Sequence, residues 1–245
     1  MSTEETIRFM SDGLQLTGTL HCPEQQTIAA VIGCHGLLAN RHSPKQIALA
    51  EALNHIGIAY LRFDHRGCGD SQGRIVPASL LADRCRDLYH AVEIMKTRLA
   101  PDIPVGMFGS SFGGTVVIAT AAVHPVPAVV TYAAPVHSQA IQKPSSQQIQ
   151  AHHALTQQDA DAFSFDISRH AAAMRNILVV HCQGDEIVPS DHARQIHAAS
   201  GEPKQIIIFD NGDHRMSDAG DQRHFVEACV AWYRRFFENT AGIQA

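Results

Sequence analysis

Ile103-Pro104-Val105-Gly106-Met107-Phe108 leads into Gly109-Ser110-Ser111-Phe112-Gly113, and that pentapeptide leads into the run Thr115–Ala122. The first piece is short, apolar and partly β-branched, as buried strands are; the last is long enough and apolar enough for a buried helix. Between them, Gly-x-Ser-x-Gly marks a strand that turns sharply into a helix and lifts one serine oxygen clear of the sheet edge. Such a turn holds the serine in a strained backbone conformation, and small flanking residues let strand and helix approach each other. Ser111 is therefore the candidate nucleophile.

Outward from this point the chain alternates short apolar runs with longer amphipathic ones, the rhythm of βαβ units and a mostly parallel sheet. Ala29–Cys34, Ile58–Phe63, Ala128–Tyr132, Ile177–His181 and Gln205–Phe209 read as buried strands beside Ile103–Phe108. The beginning differs. Thr6–Met10 and Leu14–Leu20 flank Ser11-Asp12-Gly13, and the second piece alternates apolar and polar residues, which predicts an antiparallel hairpin. A helix is expected from a Ser79 cap to about Leu99, with Leu81, Cys85, Leu88, Val92 and Met95 on one face. A last helix over about Gln222–Glu238 carries Phe225, Cys229, Trp232, Tyr233 and Phe236 at helical spacing, a core stripe. From Ser138 to His170 the rhythm breaks into a glutamine-rich stretch without a clear strand, which reads as a cap or lid inserted into a single domain of residues 1–245; Ala151–Ala162 suits a helix within it. The expected fold class is α/β: a mostly parallel sheet with an N-terminal antiparallel hairpin, helices on both faces and a short inserted lid.

A serine hydroxyl is a poor nucleophile until a base within hydrogen-bond reach, itself oriented by a third group, takes its proton. When a serine sits on such an elbow, the order along the chain is serine, acid, histidine, with the last two on loops after late strands. Asp185 follows Ile177–His181 at the strand's carboxyl end, where open α/β sheets build their sites. Glu186 is the rival acid. His214 follows Gln205–Phe209 in the loop Asp210-Asn211-Gly212-Asp213-His214, with Asp210 and Asp213 as turn residues. An oxyanion formed on acyl attack needs two preorganised donors. One is the backbone N–H of Phe112, the residue after the nucleophile. The second is the N–H of Leu37, in the loop His35-Gly36-Leu37-Leu38 after Ala29–Cys34, where the glycine allows close approach. His35 reads as a structural hydrogen-bonding residue rather than a base.

Composition narrows the alternatives. The chain has 245 residues, 45% of them hydrophobic, and a net charge of -5, with no basic run of the kind that binds nucleic acid. No apolar stretch approaches the roughly 20 residues that span a bilayer, and the polar, acidic start is unlike a secretory signal. A cytoplasmic protein with no membrane partner is the expectation. Its six cysteines, Cys22, Cys34, Cys68, Cys85, Cys182 and Cys229, then read as reduced thiols. Sixteen histidines invite a metal reading, but they are scattered and show no ligand spacing, so neither a metal nor another cofactor is expected.

Taken together these residues resemble the α/β-hydrolase superfamily over nearly the whole chain apart from the lid. Asp64-His65-Arg66-Gly67-Cys68-Gly69-Asp70-Ser71 resembles that superfamily's structural Asp-x-Arg-Gly-x-Gly-x-Ser loop, and Asp185-Glu186-Ile187-Val188-Pro189 the segment that holds its acid. His35–Arg41 and Arg62-Phe63-Asp64 are similar to small bacterial carboxylesterases of the cinnamoyl or feruloyl esterase type and to serine aminopeptidase-like hydrolases. Ser110 stands where many members carry histidine, and the lid shows little of those esterases' aromatic pocket. The resemblance implies a serine carboxylesterase acting on small or medium acyl or aryl esters through Ser111, Asp185 and His214. Its partner would be a small-molecule ester, and a homodimer is left open. Two alternatives stand beside it: the same triad cleaving an amide, thioester or carbon–carbon bond, and a non-catalytic hydrolase fold used for binding.

Overall fold

The computed structural model describes residues 3–139, 141 and 163–241, with side chains through 238. Most of the predicted lid, including the helix expected over Ala151–Ala162, lies outside the described residues. Among the described residues eight strands form one sheet: β1 (Thr3–Ser11), β2 (Leu14–Cys22), β3 (Ala29–Cys34), β4 (Ile58–Phe63), β5 (Val105–Ser110), β6 (Val129–Tyr132), β7 (Ile177–Cys182) and β8 (Lys204–Phe209). Their order across the sheet is β1-β2-β4-β3-β5-β6-β7-β8. β1 and β2 pair antiparallel, β2 joins β4 antiparallel, and every later pairing is parallel. Asp12 and Gly13 take positive φ, 47° and 77°, the two left-handed residues that a two-residue hairpin turn requires.

Central strands are apolar over most of their length because both their faces are covered, with Arg62 in β4, Thr131 in β6 and His181 in β7 as buried polar residues. Ile32, Leu61 and Met107 face one core layer, with Leu88 and Met95 of α2 (Leu80–Arg98) and Val116 and Val117 of α3 (Phe112–Val123). Their neighbours Val31, Tyr60 and Phe108 face the opposite layer, with Leu49 and Leu53 of α1 (Pro44–Asn54) and Phe225, Trp232 and Tyr233 of the last helix, Ala219–Ala241. The aromatic stripe of that helix is core, as its spacing predicts.

Three expectations are corrected. β5 starts at Val105 rather than Ile103, since Pro104 has no N–H for the ladder and contributes only its carbonyl, to Ala30 N at 2.9 Å. Ser79 does not cap α2 through its side chain; its hydroxyl donates to the Asp83 carboxylate at 2.6 Å instead. The stretch read as lid to His170 rejoins the core sooner. Ile167 is fully buried, its N–H donates to Val136 O at 2.8 Å, and a helix, α4, spans Ser168–Ala173. At the other side of the excursion Ser138 N donates to Phe165 O at 3.0 Å, so the segment leaves and returns at adjacent points. Asp191–Ala199 forms α5.

The elbow explains its own glycines. A Cβ on Gly109 would lie 2.6 Å from Gly114 Cα, and one on Gly113 would lie 2.6 Å from His35 O and closer still to Cys34 O. Strand, helix and the loop after β3 therefore meet backbone to backbone. Gly113→Ala should lower unfolding stability by about 3 kcal/mol, because backbone cannot yield as a side-chain tip can; urea titration reads the loss, and a variant with wild-type stability would show the approach is looser.

Candidate active site

Ser111 sits between β5 and α3 with φ 55° and ψ −130°, a conformation that L-residues avoid. It is fixed by its own N–H, which donates to Tyr132 O at the end of β6 at 2.7 Å, and by its carbonyl, which accepts from Gly114 N at 2.8 Å. Its Oγ lies 3.1 Å from Nε2 of His214. His214 Nδ1 lies 2.8 Å from Asp185 Oδ2 and 3.0 Å from Oδ1. The three side chains come from the ends of β5, β7 and β8, so the parallel sheet itself brings them together. With a carboxylate on Nδ1, that nitrogen carries the proton and Nε2 faces the serine as an acceptor.

The Asp185 side chain is wholly buried, whereas His214 keeps 16% of its side-chain surface. Burial opposes the Asp185 charge. Hydrogen bonds from His181 and His214, with the Val188 N–H, outweigh it and hold the carboxyl well below the usual carboxylate range. Oδ1 also accepts the N–H groups of Ile187 at 2.9 Å and Val188 at 2.8 Å. Glu186, the rival, is exposed and accepts the backbone N–H of His214 at 3.1 Å, so it grips the loop rather than the imidazole.

Four residues that the sequence reading left out surround this group. His181 is fully buried and its Nε2 lies 3.2 Å from Asp185 Oδ2 and 2.9 Å from Val188 O. Both partners are acceptors, so Nε2 must carry the proton. Tyr132 donates its hydroxyl to Asp213 O at 2.7 Å, and Lys45 Nζ donates to Arg215 O at 2.8 Å while resting 4.0 Å over the Tyr132 ring. The carbonyls of both neighbours of His214 are thus tied, from β6 and from α1. Burial pushes the Lys45 ammonium down to about 8, partly offset by Cys182, Asp213 and Asp185, and it stays charged at neutral pH. The fourth is Arg84, buried behind the loop after β3. Only His181 had a signal, its place four residues before the acid at a strand end. His181→Leu should lower stability by about 2 kcal/mol, since Val188 O loses its buried donor, and should lower turnover by freeing Asp185. His181→Gln, which keeps an N–H donor, should recover part of both in denaturant titration and steady-state kinetics.

On the opposite side of Ser111, the first N–H groups of α3 have no intrahelical acceptors, and Phe112 N–H is the first of them. Gly36 packs against the serine: a Cβ there would lie 3.3 Å from Ser111 Cβ. Leu37 follows it, and Leu37 N–H meets no acceptor among the described residues. His35 acts as expected. Its Nδ1 contacts Gly36 O at 2.8 Å and its Nε2 accepts the His65 N–H at 3.1 Å. The resembled Asp-x-Arg-Gly loop is a brace for this region: Asp64 takes the Arg41 backbone N–H at 2.7 Å and its guanidinium as well, anchoring the far end of the loop. The Phe112 ring meets Phe163 edge to face and Phe165 at a tilt, centroids 4.9 and 5.3 Å away, making an apolar wall where the excursion rejoins the core.

Among the described residues no helix is long and apolar enough to cross a membrane, and no cluster of three or more His, Cys, Asp or Glu has metal-binding geometry.

A family profile described as serine aminopeptidase, S33, matches residues 25–158, more than half of the chain. An uncharacterized protein of Mycobacterium tuberculosis is 29% identical over 217 residues, covering 86% of this chain and 70% of its own. The monoglyceride lipase of Homo sapiens is 31% identical over 115 residues, 47% of this chain and 37% of the lipase. Among solved structures, an esterase domain from Rhodothermus marinus superposes with TM-score 0.73 and 24% identity over 96% of this chain and 100% of that one. Est1E of Butyrivibrio proteoclasticus, solved with ferulic acid, superposes with TM-score 0.74 and 18% identity over 95% and 99%. These likenesses are those of the α/β-hydrolase fold that the sequence resembles.

Proposed function

The chain belongs to the serine aminopeptidase, S33, family of hydrolases, and from that premise we propose that it is a serine hydrolase cleaving carboxylic esters of small or medium acyl or aryl acids. One observation carries the reading: His214 spans the gap between a strained, part-exposed serine oxygen and a buried carboxylate, 3.1 Å on one side and 2.8 Å on the other. Ser111 Oγ attacks the ester carbonyl and its proton passes to His214 Nε2. Asp185 stabilises the imidazolium without taking its proton. The oxyanion of the tetrahedral intermediate is received by the N–H groups of Leu37 and Phe112. His214 then protonates the leaving alcohol and an acyl-serine remains. Water gives a proton to His214, attacks the acyl carbon, and the acid departs as Ser111 recovers its hydrogen.

Ester rather than amide is favoured by relatives and structural neighbours that are named esterases or a lipase, and by the apolar wall of Phe112, Phe163 and Phe165, which suits an acyl or aryl group. A fluorophosphonate probe should label folded protein on the peptide bearing Ser111, and a p-nitrophenyl ester series should turn over while aminoacyl p-nitroanilides do not. Turnover of the anilides with the esters inert would move the reading to amide hydrolysis. Folded protein that is neither labelled nor active would leave the fold as a binding module.

A further inference from the structure

Among the described residues the bulkiest fully buried side chain is a cation, and it points at the loop that supplies an oxyanion donor. Arg84, on α2, is 0% exposed. It forms no ion pair with a carboxylate among the described residues, and its Nε has no acceptor there. Burying a charge without a counter-ion is costly, so the groups that face it matter. Nη1 donates to Gly36 O at 3.2 Å and Nη2 to Leu37 O at 2.9 Å, with Cys68 Sγ 3.5 Å from Nη2. The guanidinium carbon stands 5.4 Å over the Phe112 ring. Gly36 O also meets His35 Nδ1 at 2.8 Å, and because His35 Nε2 accepts the His65 N–H, Nδ1 is the protonated nitrogen and donates.

The carbonyl of Gly36 and the N–H of Leu37 belong to one peptide unit. In a trans peptide the two groups point in opposite directions, so two donors pinning the oxygen on the α2 side fix where the hydrogen points. Gly36 itself backs onto Ser111, and a Cβ there would lie 3.8 Å from Oγ. Withdrawing electron density from the carbonyl, by one charged and one neutral donor, also makes the N–H a stronger donor, as hydrogen-bond chains polarise one another. We propose that Arg84 is the positioning residue of the oxyanion hole: it clamps and polarises the Gly36–Leu37 peptide so that Leu37 N–H is held toward the oxygen that becomes negative in the tetrahedral intermediate. The inference rests on the ester-hydrolase reading and deepens it. Arg84 never touches substrate; it acts through the peptide.

The test compares Arg84→Met and Arg84→Lys with wild type. Each is assayed with a p-nitrophenyl ester and with a trifluoromethyl ketone, to whose carbonyl Ser111 Oγ adds while its proton goes to His214, leaving a stable oxyanion. Losing one full oxyanion donor costs about 10²–10³ in turnover; misaiming one should cost less. Arg84→Met should lower kcat by about 10- to 100-fold with KM within about twofold, and weaken the ketone by the same factor, while the corresponding alcohol, which carries no oxyanion, binds as before. Arg84→Lys keeps the buried cation but reaches only one carbonyl, so it should lose less, in the same proportion for kcat and ketone. Wild-type kcat in either folded variant, or a fall in kcat without a matching fall in ketone affinity, overturns the inference; if the Met variant does not fold, the Lys variant decides alone. Wild-type protein that neither hydrolyses esters nor labels at Ser111 would remove the underlying reading, a different outcome from active, labelled wild type with indifferent Arg84 variants.

Discussion

Ser111→Ala will reduce ester hydrolysis by about 10⁴-fold or more and abolish fluorophosphonate labelling, with the fold unchanged. The hydroxyl's hydrogen-bond partner is His214 Nε2, 3.1 Å away, so its removal leaves no buried backbone group unsatisfied. Alanine must adopt the same strained φ of 55°, which gives no reason for repacking. His214→Ala should cost as much in turnover, and the double variant scarcely more, because the two groups act as one unit. The residual rate would report the oxyanion donors and binding alone. Near-wild-type hydrolysis by purified, folded Ser111→Ala would assign the chemistry to another residue.

Asp87→Ala will produce the largest loss of stability, about 3 kcal/mol at neutral pH, because it removes the fully buried carboxylate among the three that face the Arg66 guanidinium, leaving Asp12 and Asp83, and takes the acceptor from the buried Arg66 N–H. Asp87 is fully buried on the inner face of α2 and accepts Ser11 Oγ at 2.8 Å, Arg66 N at 3.0 Å, Nε at 2.9 Å and Nη2 at 2.7 Å, with His65 Nδ1 3.5 Å away. Burial works against its ionisation, yet His65 and the Arg66 fork more than compensate and hold the carboxyl below its usual range. Burial pushes His65 down to about 4, so at neutral pH Arg66 supplies the positive charge. The two groups contribute to a two-stage acid response, and His65 shares the first stage with His21 and His192, which burial likewise pushes down to about 4. His65 binds a proton in the unfolded chain below about pH 6.5 but in the fold only near 4, so stability falls as pH drops across that window. Asp87 has a depressed carboxyl, whose contribution is fully present above the unfolded value of about 3.9 and is lost as pH falls through its lower folded value. Urea midpoints measured at intervals from pH 7 to pH 2 should trace the first stage and the onset of the second. A flat profile to pH 4 in wild type, or Asp87→Ala with unchanged stability at pH 7, would contradict this account. The network also touches the site, since His65 N–H holds the His35 ring that contacts the Gly36 carbonyl.

Much of the sheet is visible in local pattern. β3 and β4 begin and end where their apolar runs do, because a strand covered on both faces is apolar nearly from end to end, Arg62 being the one charged residue in the two. The hairpin follows from Asp12-Gly13, whose conformations few other residue pairs accept. The inner face of α2 is different. Leu88, Val92 and Met95 are legible as core, but Asp83, Arg84 and Asp87 are buried beside them, and at helical spacing such residues look like a solvated flank. Their long-range partners, Ser11, Arg66, Gly36 and Leu37, lie 17 to 76 residues away along the chain. Lys45 gives no local sign of its contact with Arg215, 170 residues on.

By itself, then, the sequence determined the alternation of strands and helices, the elbow at Ser111 and the chain order of Ser111, Asp185 and His214, because each of these is written in neighbouring residues whose backbone preferences act over a few positions. Only the tertiary structure decided that His214 spans the serine and the buried acid, that His181 is a further donor to Asp185, and that a buried arginine clamps the Gly36–Leu37 peptide. Those are distances between side chains carried on different strands and helices, set by how the sheet twists and packs, and no local preference encodes them.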